Sequence, residues 1–182
     1  VIDTSALHEE VRKWRPGAPL RAAVFSHHHV DHIFGVGPFE AEAQQQGWAR
    51  PLVYGHEGLG WNFDRYKRTL GWNAAINRRQ FAIDAPQFKW KEQYRYPDVT
   101  YQKRMRFTSV GVASYGSGTT SGDLSFELRH TRGETDDATW TWVPEKKLLA
   151  PGDLFIWAVP NAGNPQKVQR YCGEWAAGLR EM

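Results

Sequence analysis

Four residues of metal-ligand type fall within six positions, His27-x-His29-x-Asp31-His32, and they come directly after the short apolar run Leu20 to Phe25. The apolar run reads as a buried strand. A rigid strand that opens into a polar, histidine-rich loop can aim several side chains at one spot. Residues two apart in an extended segment face the same way, so His27 and His29 are placed to grip one cation from one side. Asp31 and His32 follow where the loop turns, and are placed to face a second cation nearby. Imidazole suits zinc, iron and similar ions, and a carboxylate adds a hard, charge-balancing donor. Two such ions about 3.5–4 Å apart activate a water and hold the oxygens of the group being cleaved. An expression tag would sit at a terminus and would not contain Val30 and Asp31. His28 alternates away from the ligand face and, like His8, has no supporting neighbours in the sequence. The single cysteine, Cys172, excludes an internal disulfide and a cysteine-built zinc site.

The rest of the chain supplies a layered α/β scaffold. Val1 to Thr4 reads as a strand end, and Ser5 as the N-cap of a short helix. Helices are expected at about Phe39 to Gln46, at Asp64 to Phe81 with Gly71 as a weak point, and from about Gln166 to Met182. Strands are expected at Pro51 to Tyr54, within the aromatic-rich stretch Tyr94 to Val110, at Leu124 to Arg129 and at Thr139 to Val143. Tyr115 to Gly122 reads as a turn, and Pro144 to Lys147 as a hairpin turn. Strands alternate with helices early and meander later, which fits stacked layers. The 182 residues suffice for one domain. Residues 61–106 form its expected insert or pocket region.

No apolar run reaches membrane-spanning length, and no signal peptide is visible. The chain opens abruptly on Val1, so the compartment stays open, with the cytoplasm as default. A net charge of +3 does not by itself indicate a nucleic-acid binder. Basic residues crowd the stretch from Arg65 to Arg106. That is either a solvated face or an anion-attracting surface.

The histidine motif resembles the H-x-H-x-D-H signature of the metallo-β-lactamase superfamily, and further elements follow in the family's order. Asp3-Thr4 resembles its early strand-end Asp-Thr, and His56-Glu57 its His-Glu after the next strand. His130-Thr131-Arg132-Gly133-Glu134-Thr135 resembles its H-T-P-G-H-T element. Gly152-Asp153-Leu154-Phe155 resembles its G-D-x-x element, whose aspartate bridges the two metals. Glu134 stands where the family's second histidine ligand usually stands. Alkyl-sulfatase-like members carry carboxylate ligands in this region. The segments Gly133 to Trp140, Gly152 to Trp157 and Pro160 to Lys167 look like that subgroup.

The resemblance implies an αββα layered sandwich, incomplete at both ends, that holds two divalent metal ions, zinc foremost. The implied ligands are His27, His29, Asp31, His32, Glu134 and a bridging Asp153. On residues alone, Asp153 could equally cap the next turn. His130 is either an alternative ligand or a group that hydrogen-bonds to one. Asp136 and Asp137 either orient ligands or cap a turn, with the turn favoured. Asp3 is expected to accept backbone hydrogen bonds beneath the site, and His56 to lie outside the ligand set.

The implied reaction is hydrolysis of a small-molecule ester, foremost an organic sulfate, by a metal-activated water that hydrogen-bonds to Asp31. Arg78 and Arg79, within the basic stretch, are candidates to meet the sulfate. Trp61, Phe63, Tyr66 and Trp72 either line an apolar channel or belong to the core. Asn161 and Asn164 are either at the pocket edge or in turns. The family's last histidine ligand and its first strands are not found, so the chain reads as a piece of a longer protein. Relatives dimerise through a region that would lie beyond Met182. The alternatives are a thioester, lactone or β-lactam hydrolase, an iron oxidoreductase resembling persulfide dioxygenases, a nuclease, and a metal-binding remnant without turnover.

Overall fold

Two kinds of strand connection divide the chain into two sheets. The computed structural model describes residues 4–109, 124–157 and 170–182. The expectations placed on Asp3, on Tyr115 to Gly122, and on Asn161 and Asn164 lie outside these residues.

The first part begins with α1 (Thr4–Trp14), so Thr4 is already helical instead of ending a strand. β1 (Ala22–Val24) follows. Helix α2 (Val30–Ile33), a 3-10 turn at Phe34–Val36 and α3 (Gly37–Gln46) then cross to β2 (Leu52–His56). Pro38 opens α3, and Gly47 ends it at φ 68°, a left-handed conformation that glycine adopts without a Cβ clash. From β2 the chain crosses through α4 (Gly58–Arg68) and α5 (Leu70–Gln80) to β3 (Val99–Tyr101). Helical crossovers bring the strands back parallel, in the order β1-β2-β3.

The expected single helix over Asp64 to Phe81 is therefore two helices, and the break falls at Thr69, not Gly71. Thr69 has φ −111° and ψ 21°, outside helical values. Its hydroxyl donates back to the Arg65 carbonyl at 2.9 Å, a bond that competes with the continuing helix.

The remaining strands form an antiparallel meander, β4 (Arg104–Thr108), β5 (Ser125–His130), β6 (Thr139–Val143) and β7 (Leu148–Ala150). The turn Pro144–Lys146 joins the last pair, as the sequence suggests. Register sets Phe107 opposite Phe126, with rings 5.0 Å apart.

Alternation along the strands sorts side chains into layers. Val53 packs outward with Phe25, Ile33, Leu59 and Phe63 beneath the helices. Its neighbours Leu52 and Tyr54 face the second sheet, where Tyr54 stacks on Phe107 at 4.2 Å. Trp140 on the far face of that sheet packs against Trp175 of α6 (Cys172–Glu181). The Trp175 indole donates to the Leu154 carbonyl at 2.7 Å. Helices, sheet, sheet, helix is the αββα sandwich expected from the sequence.

Candidate metal centre

The strand ends that meet across the two sheets carry the ligand-type residues. Phe25 still bonds to β2, and the Ser26 carbonyl accepts the Thr139 amide at 2.7 Å, which ties the end of β1 to β6. Gly152, after β7, packs on the same Ser26. A Cβ at position 152 would come within 2.7 Å of the serine Cβ, and φ is +56°, so only glycine fits here. This contact seats the following residue, Asp153, beside the histidines.

One donor atom from each of His27, His29, Glu134 and Asp153 lies within 4.8 Å of the others. His27 Nε2 and His29 Nδ1 are 2.9 Å apart. Glu134 Oε2 is 3.9 Å from His27 Nε2 and 3.7 Å from His29 Nδ1. Asp153 spans two groups: Oδ2 is 3.9 Å from His27 Nε2, and Oδ1 is 3.4 Å from His32 Nε2. Asp31 reaches the same His32 nitrogen at 3.4 Å. Asp31 and His32 sit on the helical turn α2 and not on a loop. That turn carries the His32 ring over His27, with centroids 4.1 Å apart.

Ser26, which has no expected role in the motif, holds both rings. Its hydroxyl is 3.2 Å from His27 Nδ1 and 3.1 Å from His32 Nδ1, so both Nε2 atoms turn toward Asp153. Burial, then repulsion from His32, pushes His27 down to about 4. Its lone pair is thus available to a cation at neutral pH. For His32, burial works against the charge but is outweighed by Asp153 and Asp31, which hold it up at about 10. The hydrogen bond to His32 holds Asp153 well below the usual carboxylate range. A neutral buried imidazole, a second imidazole, and a carboxylate with oxygens toward both sides form a donor set that fits a pair of divalent cations.

The other candidates lie elsewhere. His130 donates from Nδ1 to the Ala138 carbonyl at 3.0 Å and stacks on His56 at 3.9 Å, outside the group of four. His56 accepts the Gly58 amide. His28, expected to lack partners, has strong ones. Its Nδ1 is 2.9 Å from Asp137, and its Nε2 is 3.3 Å from Arg65 Nη2. An arginine can only donate, so His28 accepts at Nε2 and gives its Nδ1 proton to Asp137. Asn62 donates to both Asp136 and Asp137. Asp137 is 0% exposed. Burial would raise it, but the His28 hydrogen bond prevails and holds it at about 2.

A cavity of about 690 Å³ opens beside the centre, bounded there by His29, Asp31, Glu134 and Asp153. Trp61 and Tyr66 line it, whereas Phe63 is buried in the core and Trp72 is 66% exposed to solvent. Its arginines are Arg65 and Arg170, not Arg78 and Arg79. Arg78 bonds to the Pro86 carbonyl, and Arg79 points to solvent. Arg170 pairs with Glu134. Arg65 lies against the Trp61 and Tyr66 rings.

The family model described as the metallo-beta-lactamase superfamily matches residues 1–160. No curated protein matches by sequence. Among solved structures, the stereoselective inverting sec-alkylsulfatase Pisa1 from Pseudomonas sp. is similar, with TM-score 0.67 and 18% identity over 97% of this chain. The chain spans 29% of that sulfatase. TTHA1623, solved in a di-iron-bound form, has TM-score 0.54 and 17% identity, over 97% of this chain and 70% of its own. The BLEG-1 B3 metallo-beta-lactamase has TM-score 0.53 and 18% identity, over 98% of this chain and 69% of its own.

Proposed function

The chain belongs to the metallo-β-lactamase superfamily, and from that premise we propose that it is the metal-binding part of a hydrolase acting on a small sulfate ester. The observation that carries the reading is Asp153, which offers one oxygen to each of two imidazoles while Glu134 and His29 close the same space. His27, His29 and Glu134 would hold one ion, His32 and Asp31 the other, and Asp153 both. When bound, the ions, zinc foremost, supply Lewis-acid activation of a water and stabilise charge on the departing oxygen. The chain's own residues do the rest. Ser26 fixes the two inner rings. Asp31, with its side chain 65% exposed, is placed to accept a proton from a water at the cavity side.

Sulfate is favoured over a neutral ester by Arg65. Among the described residues it pairs with no carboxylate, and Asn62 and His28 orient it by Nε and Nη2. The Tyr66 hydroxyl also bonds to it, so its charge is held at the cavity by oxygen and nitrogen groups, and a guanidinium matches sulfate oxygens in planar geometry. A walled cavity also suits a small molecule better than a nucleic acid. The homodimer expected from relatives would arise from residues beyond these.

Turnover of aryl and secondary alkyl sulfates by the zinc-loaded protein tests the reading, with metal content measured alongside. The expected result is sulfate release that Asp153→Asn abolishes. Cleavage of thioesters or lactones with no sulfate release would reassign the substrate. Dominant iron with oxygen consumption would remove the hydrolase.

A further inference from the structure

The cavity carries features that an alkyl tail does not use. Helix α5 lines it with Asn73, Ile76, Asn77 and Gln80. Asn73 and Asn77 are about one turn apart, roughly 6 Å along the axis. Asn73 Nδ2 donates to Thr69 Oγ1 at 3.0 Å, and Asn77 Nδ2 donates to the Asn73 carbonyl at 2.7 Å. These bonds fix the orientation of both carboxamides. Among the described residues, neither carboxamide oxygen accepts a hydrogen bond. Each of these cavity-lining side chains thus keeps an oxygen and a second N–H without a protein partner among the described residues, and a hydroxyl, donor and acceptor at once, satisfies both.

A plain hydrocarbon laid against them would strip their water and return nothing. The aromatic part of the lining, Trp61, Tyr66 and Trp90, offers flat apolar faces to ring systems. We propose that the alcohol half of the substrate is a ring system carrying hydroxyl groups about 6 Å apart, one to each asparagine, with its apolar face on the tryptophans. This rests on the ester-hydrolase reading for the bond that is cut, and adds what is attached to it. A space of about 690 Å³ takes a molecule of several fused or linked rings. A hydroxylated steroid and an aryl glycoside share this chemistry.

Calorimetric titration of the zinc-loaded chain with the free alcohols tests the idea without turnover. The ligands are a trihydroxylated steroid, its monohydroxylated parent, an aryl glycoside and 1-decanol. At least one polyhydroxylated ring is expected to bind about tenfold or more tightly than both decanol and the parent steroid. Asn77→Leu is expected to erase that preference. The steroid and glycoside arms say which source supplies the ring. The proposal is overturned if decanol or the parent steroid binds as well as the tighter of the two polyhydroxylated rings, or if Asn77→Leu leaves the preference intact. Because the parent steroid tests the hydroxyls on the unmutated chain, misfolding of the variant cannot mask the answer. Decyl sulfate turnover, measured in parallel, separates the two readings. Its hydrolysis without ring preference sinks only the ring. Ring preference without hydrolysis of any sulfate sinks only the sulfate-ester reading.

Discussion

Neighbouring histidines on one strand exit serve two opposite constructions. His27 and His29 turn to a group of donors that includes two carboxylates and faces a cavity. His28, between them, turns to Asp137 and Arg65, both of which also bond to Asn62. Both regions gather imidazole and carboxylate, and both could pass as metal sites by composition. The difference is how completely hydrogen bonds satisfy the buried groups. Around His28 the chain brings its own cation, since Arg65 donates to His28 and His28 donates to Asp137. Every polar atom of the Asp137 carboxylate then has a partner at close to zero exposure. Around His27, burial keeps the imidazole uncharged, and Glu134 and Asp153, which pair with Arg170 and His32 on their other sides, face it at 3.9 Å without hydrogen-bonding it. One cluster is closed by protein, and the other holds a donor set that fits divalent cations.

The largest effect should come from breaking the open cluster. His29→Ala or Asp153→Ala is expected to remove at least one bound ion per chain and to lower hydrolysis by about a thousandfold or more. Both changes should leave the fold largely intact, because these side chains are partly exposed and their surroundings are held by Ser26 and Gly152. Elemental analysis with a melting curve checks this. Full metal content in either variant would place the ions elsewhere.

The closed cluster should respond in the opposite way. Asp137→Ala leaves His28 and Asn62 buried without their acceptor and is expected to cost about 3–5 kcal/mol, with a fall in Tm of roughly 10 °C. Metal stoichiometry of the folded fraction should stay unchanged. The pH dependence follows from the same pair. The folded Asp137 sits at about 2, below its ordinary 3.8. Its contribution, on the order of 2 kcal/mol, is therefore fully present above about pH 4 and is lost as pH falls toward 2. The stability difference between the native chain and Asp137→Ala should shrink over that window in acid titrations of unfolding. A difference that stays constant to pH 2 would mean that His28 does not stabilise the ionised form.

Arg65 tests whether the closed cluster also serves the cavity. Arg65→Met keeps the stem against Trp61 and Tyr66 but removes the charge. An increase in KM for sulfate esters of about ten- to a hundredfold is expected, with a smaller change in kcat. Neutral esters should show no such rise, and an equal rise for both would reduce Arg65 to packing.

These contrasts were unequally legible in the sequence. His27, His29, Glu134 and Asp153 stand out because few residue types bind cations and each follows a strand or a tight glycine turn. Their convergence needs only the topology of two stacked sheets. The cavity was harder, because its arginines depend on helical phase. α4 begins at Gly58, so Arg65 falls one turn after Trp61 on the cavity side. Thr69 then resets the phase, which turns Arg79 to solvent and takes Arg78 to the Pro86 carbonyl. Reading Asp64 to Phe81 as one helix hides that change of direction. The partner of His28 lay beyond local reading altogether, since Asp137 is 109 residues further along. Ser26 could have been noticed, because a hydroxyl just before a histidine pair is well placed to orient imidazole nitrogens.

The smallest effect belongs to the residue that sets this phase. Thr69 accepts from Asn73 and donates to the Arg65 carbonyl, so it touches the helix of each cavity wall. Thr69→Ala removes a partly exposed hydroxyl and adds helix propensity, two opposing terms that should leave stability within about 1 kcal/mol. It also frees the Asn73 carboxamide from its fixed orientation. Metal content and kcat on a simple aryl sulfate are therefore expected to hold. Discrimination between hydroxylated and plain alcohols should weaken severalfold, in the same titrations used for Asn77→Leu. A change in metal content would mean that the two clusters are coupled through α4, contrary to the separation drawn between His27 and His28.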